Sequence, residues 1–268
     1  MSADGGAQGG VPLAPFDTRL DFFAGASHLE ALARLEYLVE TGLRCGVVIG
    51  PKGAGKTTVL RAFVEQSAIS HLTKVQLDLR ALSAAEALRR LCQGLGITSH
   101  ARGRLSLLWQ EVGDAFAGHR HAKRPCVVIF DHLDRALPDC QQAVERLLLH
   151  DAEPAAATFV LAFSGHSFPV VAKEWRQAAD LRIEVAPLTA EETVAFVERL
   201  LRALELPNDA FDAAASAILF DLTRGVPRDV IRLCELSLLS AMQDDKRSIS
   251  ADAVEAAMRE LSLLRSSA

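Results

Sequence analysis

A chain of 268 residues that is 50% hydrophobic and 24% charged can bury a sizeable core and has the composition of a soluble globular protein. Its net charge of -5 gives no general pull toward DNA or acidic membranes, leaving only a local basic face for such partners. Five scattered cysteines without a C-x-x-C pair exclude a disulfide framework or zinc site and read as buried thiols.

Residues 1–15 are rich in Gly, Ala and Pro, which predicts a flexible arm. They lack the basic-then-apolar pattern of an export signal, and no apolar run reaches the roughly 20 residues of a membrane span, so the reading is cytoplasmic. From Ser27, Leu29, Leu32, Leu35 and Leu38 recur at helical spacing until Gly42. LRCGVVIG then reads as a buried strand, KTTVLRAFVEQ as a helix and HLTKVQLDL as a second strand. Ser83 and Glu86 form a capping box that opens the helix SAAEALRRLCQGLG. A helix over roughly 104–118 leads to the strand CVVIF, and one over 139–150 to the strand ATFVLAFS. A short helix near 170–178 precedes LRIEV. Alternating helices and strands that are apolar on both faces predict a parallel sheet covered on each side.

After Pro187 the strand patterns stop. Thr189 and Glu192 cap a helix over 190–206, a second covers 209–222, a third follows GVPRD, and Ser250 opens the last. The expected organisation is the arm, an α/β domain over 16–186 and a small all-helical domain over 187–268.

Positions 50–57 read GPKGAGKT, a full G-x-x-x-x-G-K-[ST] pattern between an apolar strand and a helix. Gly50, Pro51, Lys52, Gly53, Ala54, Gly55, Lys56, Thr57 and Thr58 form the expected phosphate cradle, because glycines let backbone N–H groups close around phosphates. Lys56 is expected to reach the terminal phosphates of ATP, and the Thr57 hydroxyl to coordinate Mg²⁺. Asp131 ends CVVIF and reads as the second magnesium-side residue, or else as an acid opening a turn. His132 follows where a carboxylate would accept a proton from water; an imidazole, with a reference pKa of about 6.5, differs in both reach and charge. Asp134 reads equally as a substitute base, a support for His132 or a local turn cap.

With these residues in view, the chain resembles the AAA+ ATPases of the general secretion pathway A (ExeA-like) group and the related TniB-type transposition ATPases. The resemblance rests on PFDTRLDFFAGASHLEALARLEY, GPKGAGKTT, VAPLTAEETVAFVERLL, GVPRDVIRLCELSLLSA and ADAVEAAMREL, and runs from about Pro15 to the C-terminus. It implies a P-loop NTPase core of the ASCE type, with a five-stranded sheet in order 5-1-4-3-2, followed by a helical lid. It also implies that Arg228 in GVPR is the lid arginine that touches nucleotide, and that Ser164 or His166 stands near the sensor position ending the fourth strand. His28 falls where the pre-loop segment approaches base or ribose; a solvated residue at a helix start is the competing reading. Two departures stand out. His132 replaces the usual glutamate, and the trans-acting arginine finger has only Arg176 and Arg182 as candidates. The sequence ends without the membrane span and cell-wall-binding region of full secretion-pathway members, so their cellular role is not implied.

Three readings stay open on this basis. One is a homo-oligomeric ATPase that binds Mg-ATP between core and lid and hydrolyses it slowly to drive conformational change, acting on an unidentified protein partner. The second is an ATP-gated switch with negligible hydrolysis. The third is a DNA-associated regulator of the transposition type, which the acidic net charge does not favour.

Overall fold

The computed structural model describes residues 22–101, 104–150, 157–164, 173–243 and 248–266. The arm expected over 1–15 lies outside the described residues, as does its boundary. In chain order the elements are α1 (Ala26–Glu40), β1 (Cys45–Gly50), α2 (Lys56–Gln66), β2 (Thr73–Asp78), α3 (Ala84–Gly94), α4 (Leu105–His121) and β3 (Cys126–Asp131). A 3₁₀ turn over Leu133–Arg135 follows, then α5 (Pro138–His150), β4 (Thr158–Ser164), α6 (Lys173–Ala178) and β5 (Leu181–Glu184). The helical part comprises α7 (Ala190–Ala203), α8 (Ala213–Thr223), α9 (Pro227–Gln243) and α10 (Ala251–Ser266).

The five strands pair in the order β2-β3-β4-β1-β5, every pair parallel, which is the order the resemblance implied. Successive residues of the central strands face opposite layers. Val47, Val128 and Phe159 point into the core shared with α3, α4 and α5. Val48, Ile129 and Val160 point into the core shared with α1 and α2, where Leu35, Leu38, Leu60 and Phe63 meet them. Burial on both faces holds for β1 and β3, but not for the edges. Strands β2 and β5 are only partly buried, because each has a neighbour on one side alone.

The helical segment has its own core, built from Phe196, Leu200, Leu219, Val230, Leu233 and Val254. The capping box at Thr189 and Glu192 forms as expected, and so does that at Ser83 and Glu86. Pro227 is the first residue of α9, where its missing N–H costs nothing. The second helix of this segment starts later than its apolar pattern indicates. Asp212 accepts from the Ala215 N–H and so acts as the N-cap, while Phe211 is drawn into a parallel bridge with Ile249.

All five cysteines are free and buried. Burial pushes the Cys45 and Cys126 thiols up to about 12 and those of Cys92 and Cys140 to about 11, and it raises Cys234 as well.

Phe159 sits at the centre of the larger core, edge-on to Phe116 at 6.0 Å and stacked on Phe130 at 6.2 Å between ring centroids. Phe159→Ala is therefore expected to destabilise the α/β unit by about 3–5 kcal/mol, measured by chemical denaturation.

Candidate functional site

The parallel register brings the C-terminal ends of β2, β3, β4 and β1 to one edge, with Asp78 opposite Asp131 and Ser164 opposite Gly50. From Gly50 the chain turns through residues 51–55 into α2. Gly53 and Gly55 take φ values of +93° and +100°, a region that suits glycine and strains other residues. A Cβ on Gly55 would stand 2.7 Å from the His28 ring, and one on Gly50 would stand 2.2 Å from the Val185 carbonyl oxygen. The turn opens the N-terminus of α2, with its intrahelically unpaired N–H groups, into a cleft of about 1070 Å³. Lys52 and Thr58 are exposed on the wall of that cleft.

Lys56 folds back along the loop, its Nζ donating to the carbonyls of Gly50 and Pro51 at 2.8 and 2.9 Å. Burial pushes its pKa down, against the opposing pull of the Asp131 and Asp134 charges. The Thr57 hydroxyl donates to Asp131 Oδ2 at 2.7 Å, and Asp131 is only 3% exposed. A hydroxyl and a carboxylate are hard oxygen donors of the kind Mg²⁺ takes, with phosphates and waters completing its shell. Among the described residues no cluster of three or more His, Cys, Asp or Glu could hold a metal.

His132 adopts the left-handed conformation, φ +56° and ψ +38°, and its N–H donates to Asp131 Oδ1 at 2.9 Å. Its ring Nδ1 lies 3.2 Å from Asp78 Oδ1 and 3.5 Å from Asp131 Oδ1, close but not aligned for a hydrogen bond. Asp78 is gripped by Arg80, whose Nε donates to both carboxylate oxygens at 3.0 and 2.9 Å while Nη2 also contacts Oδ2. Partial burial pushes the Asp78 carboxyl up, but the Arg80 hydrogen bonds and the His132 and Arg80 charges outweigh it and hold the group below its ordinary range. The 3₁₀ turn returns Asp134 to the same cleft, where its Oδ2 accepts from the Ser164 hydroxyl at 2.9 Å. The acid beside His132 is thus Asp78, and Asp134 is tied to the end of β4. His166 lies outside the described residues.

His28 is 4% exposed, so the solvated reading is overturned: its Nε2 donates to the Ala54 carbonyl at 2.8 Å and its ring meets Phe22 edge-on. Desolvation lowers its pKa against the opposing pull of the Ala54 carbonyl and the Glu192 charge, and the carbonyl, which can only accept, calls for a proton on Nε2. The helical segment closes the cleft from the opposite side. Leu188 donates its N–H to Gly225 O at 2.9 Å, so close that a Cβ on Gly225 would fall 1.9 Å from the Leu188 carbonyl oxygen. Arg228 follows in the first turn of α9, with its N–H 3.4 Å from Gly53 O and its side chain on the cleft wall. Arg232 lines the cleft one turn further on. Of the two finger candidates, Arg182 stands on the exposed edge strand beside Glu184, at 3.7 Å, and does not line the cleft. Arg176 lies in α6, and its side chain is outside the described residues.

Sequence reasoning missed Asp78, Arg80, Arg232 and Glu192 as parts of this site. Asp78 could have been found, since strand order 5-1-4-3-2 sets the end of β2 beside the end of β3.

A parallel sheet in this order, a glycine-rich turn into α2, a buried acid ending β3 and an arginine-bearing helical lid together define a P-loop NTPase of the AAA+ type. Residues 39–169 match the AAA domain family model. It is 24% identical over 247 residues to general secretion pathway protein A of Aeromonas hydrophila, an alignment that takes in 89% of this chain. The chain spans 44% of that protein's length. Its fold is similar to Cdc6p of Pyrobaculum aerophilum (TM-score 0.73, 16% identity, covering 91% of this chain and 70% of that one). It is also similar to a chain of Drosophila ORC bound to DNA (0.69, 15%, covering 97% and 70%). A third likeness is to the RuvB Holliday junction branch migration motor of Thermotoga maritima (0.57, 16%, covering 90% and 70%). Among the described residues no helix is long and apolar enough to cross a membrane.

Glu192 ties lid to core by capping α7 and accepting the Ala26 N–H at 2.6 Å. Partial burial pushes its carboxyl up, but the N–H groups of Thr189 and Ala26 outweigh that and leave it below its ordinary 4.5. A depressed carboxylate stabilises the fold fully above its unfolded pKa and loses that contribution as pH falls through the native one. Glu192→Gln is expected to lower stability at pH 7, with the deficit shrinking at pH 3, as read by urea denaturation at both values.

Proposed function

We propose that this chain binds Mg-ATP between its α/β unit and its helical lid, hydrolyses it, and uses the cycle to change conformation within a homo-oligomer. One observation carries the reading: Lys56, the Thr57–Asp131 pair and Arg228 face a single cleft at the N-terminus of α2. The dipole and free N–H groups of that helix favour phosphates. Lys56, now bonded to loop carbonyls, would exchange them for the terminal phosphate oxygens, and Arg228 would reach the same charge from the lid. Thr57 and Asp131 would hold Mg²⁺, which neutralises phosphate charge when bound.

Gly50, Gly53 and Gly55 bring the backbone close to the phosphates. His28 holds the loop from behind through Ala54. Ser164, restrained by Asp134, would stand beside the terminal phosphate. The lid is taken to begin at about residue 187, where the last strand gives way to helices. Arg176 or Arg182 would complete a neighbouring subunit's site in the oligomer, whose partner is another protein in the cytoplasm.

A second reading, an ATP-gated switch without turnover, is favoured by the histidine at position 132. Steady-state turnover and nucleotide affinity separate the two. Lys56→Ala is expected to weaken ATP binding at least about tenfold and to abolish phosphate release. Tight ATP binding retained in that variant would refute the site assignment, while binding without any turnover in the native chain would leave only the switch. Saturating Mg-ATP at about 100 times its Kd is expected to stabilise the native protein by about 2.7 kcal/mol, read as a shift in the denaturation midpoint.

A further inference from the structure

The geometry points to Arg135 as an arginine that this chain places on the γ-phosphate of its own bound ATP, so that contact with that phosphate does not wait for a neighbouring subunit. The inference rests on the nucleotide-binding reading above and holds whether or not the bound ATP is cut.

The backbone holds Arg135 on both sides. Its N–H donates to the His132 carbonyl at 2.9 Å, closing the 3₁₀ turn, and its own carbonyl accepts from the Ala81 N–H at 3.0 Å. Leu133 and Ala136 are buried and anchor the turn in the larger core, which leaves the Arg135 side chain exposed on the cleft wall. The same turn ties Asp134 to Ser164, and Ser164 is paired in register with Gly50 at the start of the phosphate loop. The turn that bears Arg135 is thereby fixed beside that loop.

Among the described residues five arginines line the cleft, and they are not equivalent. Arg80 is engaged by Asp78. Arg61 stands one helical turn beyond Thr57 in α2, and Arg232 one turn beyond Arg228 in α9, so both lie further from the loop. Arg135 and Arg228 remain, one on the sheet side and one on the lid side, and the charge of each acts on the Lys56 ammonium. Among the described residues the Arg135 guanidinium has no hydrogen bond or ion pair of its own. The acids next to it in the chain are already engaged, Asp131 by the Thr57 hydroxyl and the His132 N–H, and Asp134 by the Ser164 hydroxyl. A planar fork of N–H donors is thus left for a ligand, and its geometry matches phosphate oxygens.

Arg135 adds a third positive group, beside Lys56 and Arg228, at the oxygens of the terminal phosphate. ADP lacks that phosphate, so the contact discriminates between the two nucleotides. Where hydrolysis follows, the water oxygen bonds to the γ-phosphorus, and the bond from that phosphorus to the β,γ-bridging oxygen breaks. Its electron pair leaves with ADP, one water proton stays on the released phosphate, and the other passes to solvent. Arg135 exchanges no proton; it stabilises the charge on the γ oxygens while the bridge breaks.

The test measures ATP and ADP affinity by calorimetry, and kcat with Mg-ATP, for the full native chain, Arg135→Ala, Arg135→Gln and Arg135→Lys. Thermal melts establish that each variant is folded. Arg135→Ala and Arg135→Gln are expected to weaken ATP binding by about tenfold to a hundredfold, the scale of lost charge-assisted hydrogen bonds, with ADP binding unchanged. Arg135→Lys keeps the charge without the fork and is expected to recover part of the loss. Turnover by Arg135→Ala is expected to fall by about a hundredfold to a thousandfold. Mixing Arg135→Ala with an excess of Lys56→Ala, whose own loop is disabled but whose Arg135 is intact, is expected to restore neither ATP affinity nor turnover.

Unchanged ATP affinity would overturn the proposal. So would an equal loss for ATP and ADP, which would mark Arg135 as a general attraction for nucleotide or a support of the turn. Restoration on mixing would place Arg135 in a neighbouring subunit's site and overturn the contact within the chain. If the native chain binds ATP without turnover, the ATP and ADP affinities decide alone. Absence of ATP binding would instead refute the reading on which the proposal rests.

Discussion

The site depends on the parallel register of the sheet. Four strands finish at one edge because each is paired in step with its neighbour, and this sets Asp78 beside Asp131 and Ser164 beside Gly50. A slip of one residue in any pair would turn the terminal side chain to the opposite face. The Thr57–Asp131 bond, the Asp78–His132 contact and the Ser164–Asp134 bond are therefore results of strand pairing as much as of local sequence. Apolar burial on both faces of β1 and β3 keeps that pairing in place, so the cores on the two sides of the sheet support the polar edge they border.

The second structural theme is the junction between lid and core. Close packing there is made possible by glycine: Gly25 meets Leu188, and Gly225 meets the Leu188 backbone. Glu192 joins the start of α7 to the start of α1, and His28, in the first turn of α1, reaches the phosphate loop. The loop, the first helix and the lid are thus one connected set of contacts.

Much of this was legible in the sequence. The glycine-rich turn into α2 and the acid ending β3 each sit in a short contiguous pattern, while Arg228 was singled out by resemblance alone; all three line one cleft. The sheet order came from resemblance, and the alternation of helices and apolar strands supported it. What stayed hidden depends on distance across the fold. His28 was open to two readings, an approach to the nucleotide or a solvated residue at a helix start, and its bond to a loop carbonyl 26 residues away was in neither. Asp134 looked a turn too far from the strand tip until the 3₁₀ turn brought it back to Ser164. Asp78 gained its place only through register, and the start of α8 moved because a long-range bridge at Phe211 competed with helical periodicity.

The buried thiols have a practical bearing on how such a molecule could be followed in solution. Cys45, Cys92, Cys126 and Cys140 belong to the α/β unit, while Cys234 lies in the core of the helical segment. With every sulfur enclosed and held in its unreactive protonated form, a thiol-modifying reagent can enter only when the surrounding core opens. The chain is therefore equipped with separate chemical clocks for its two cores. Their relative rates would tell whether lid and sheet come apart together or in sequence.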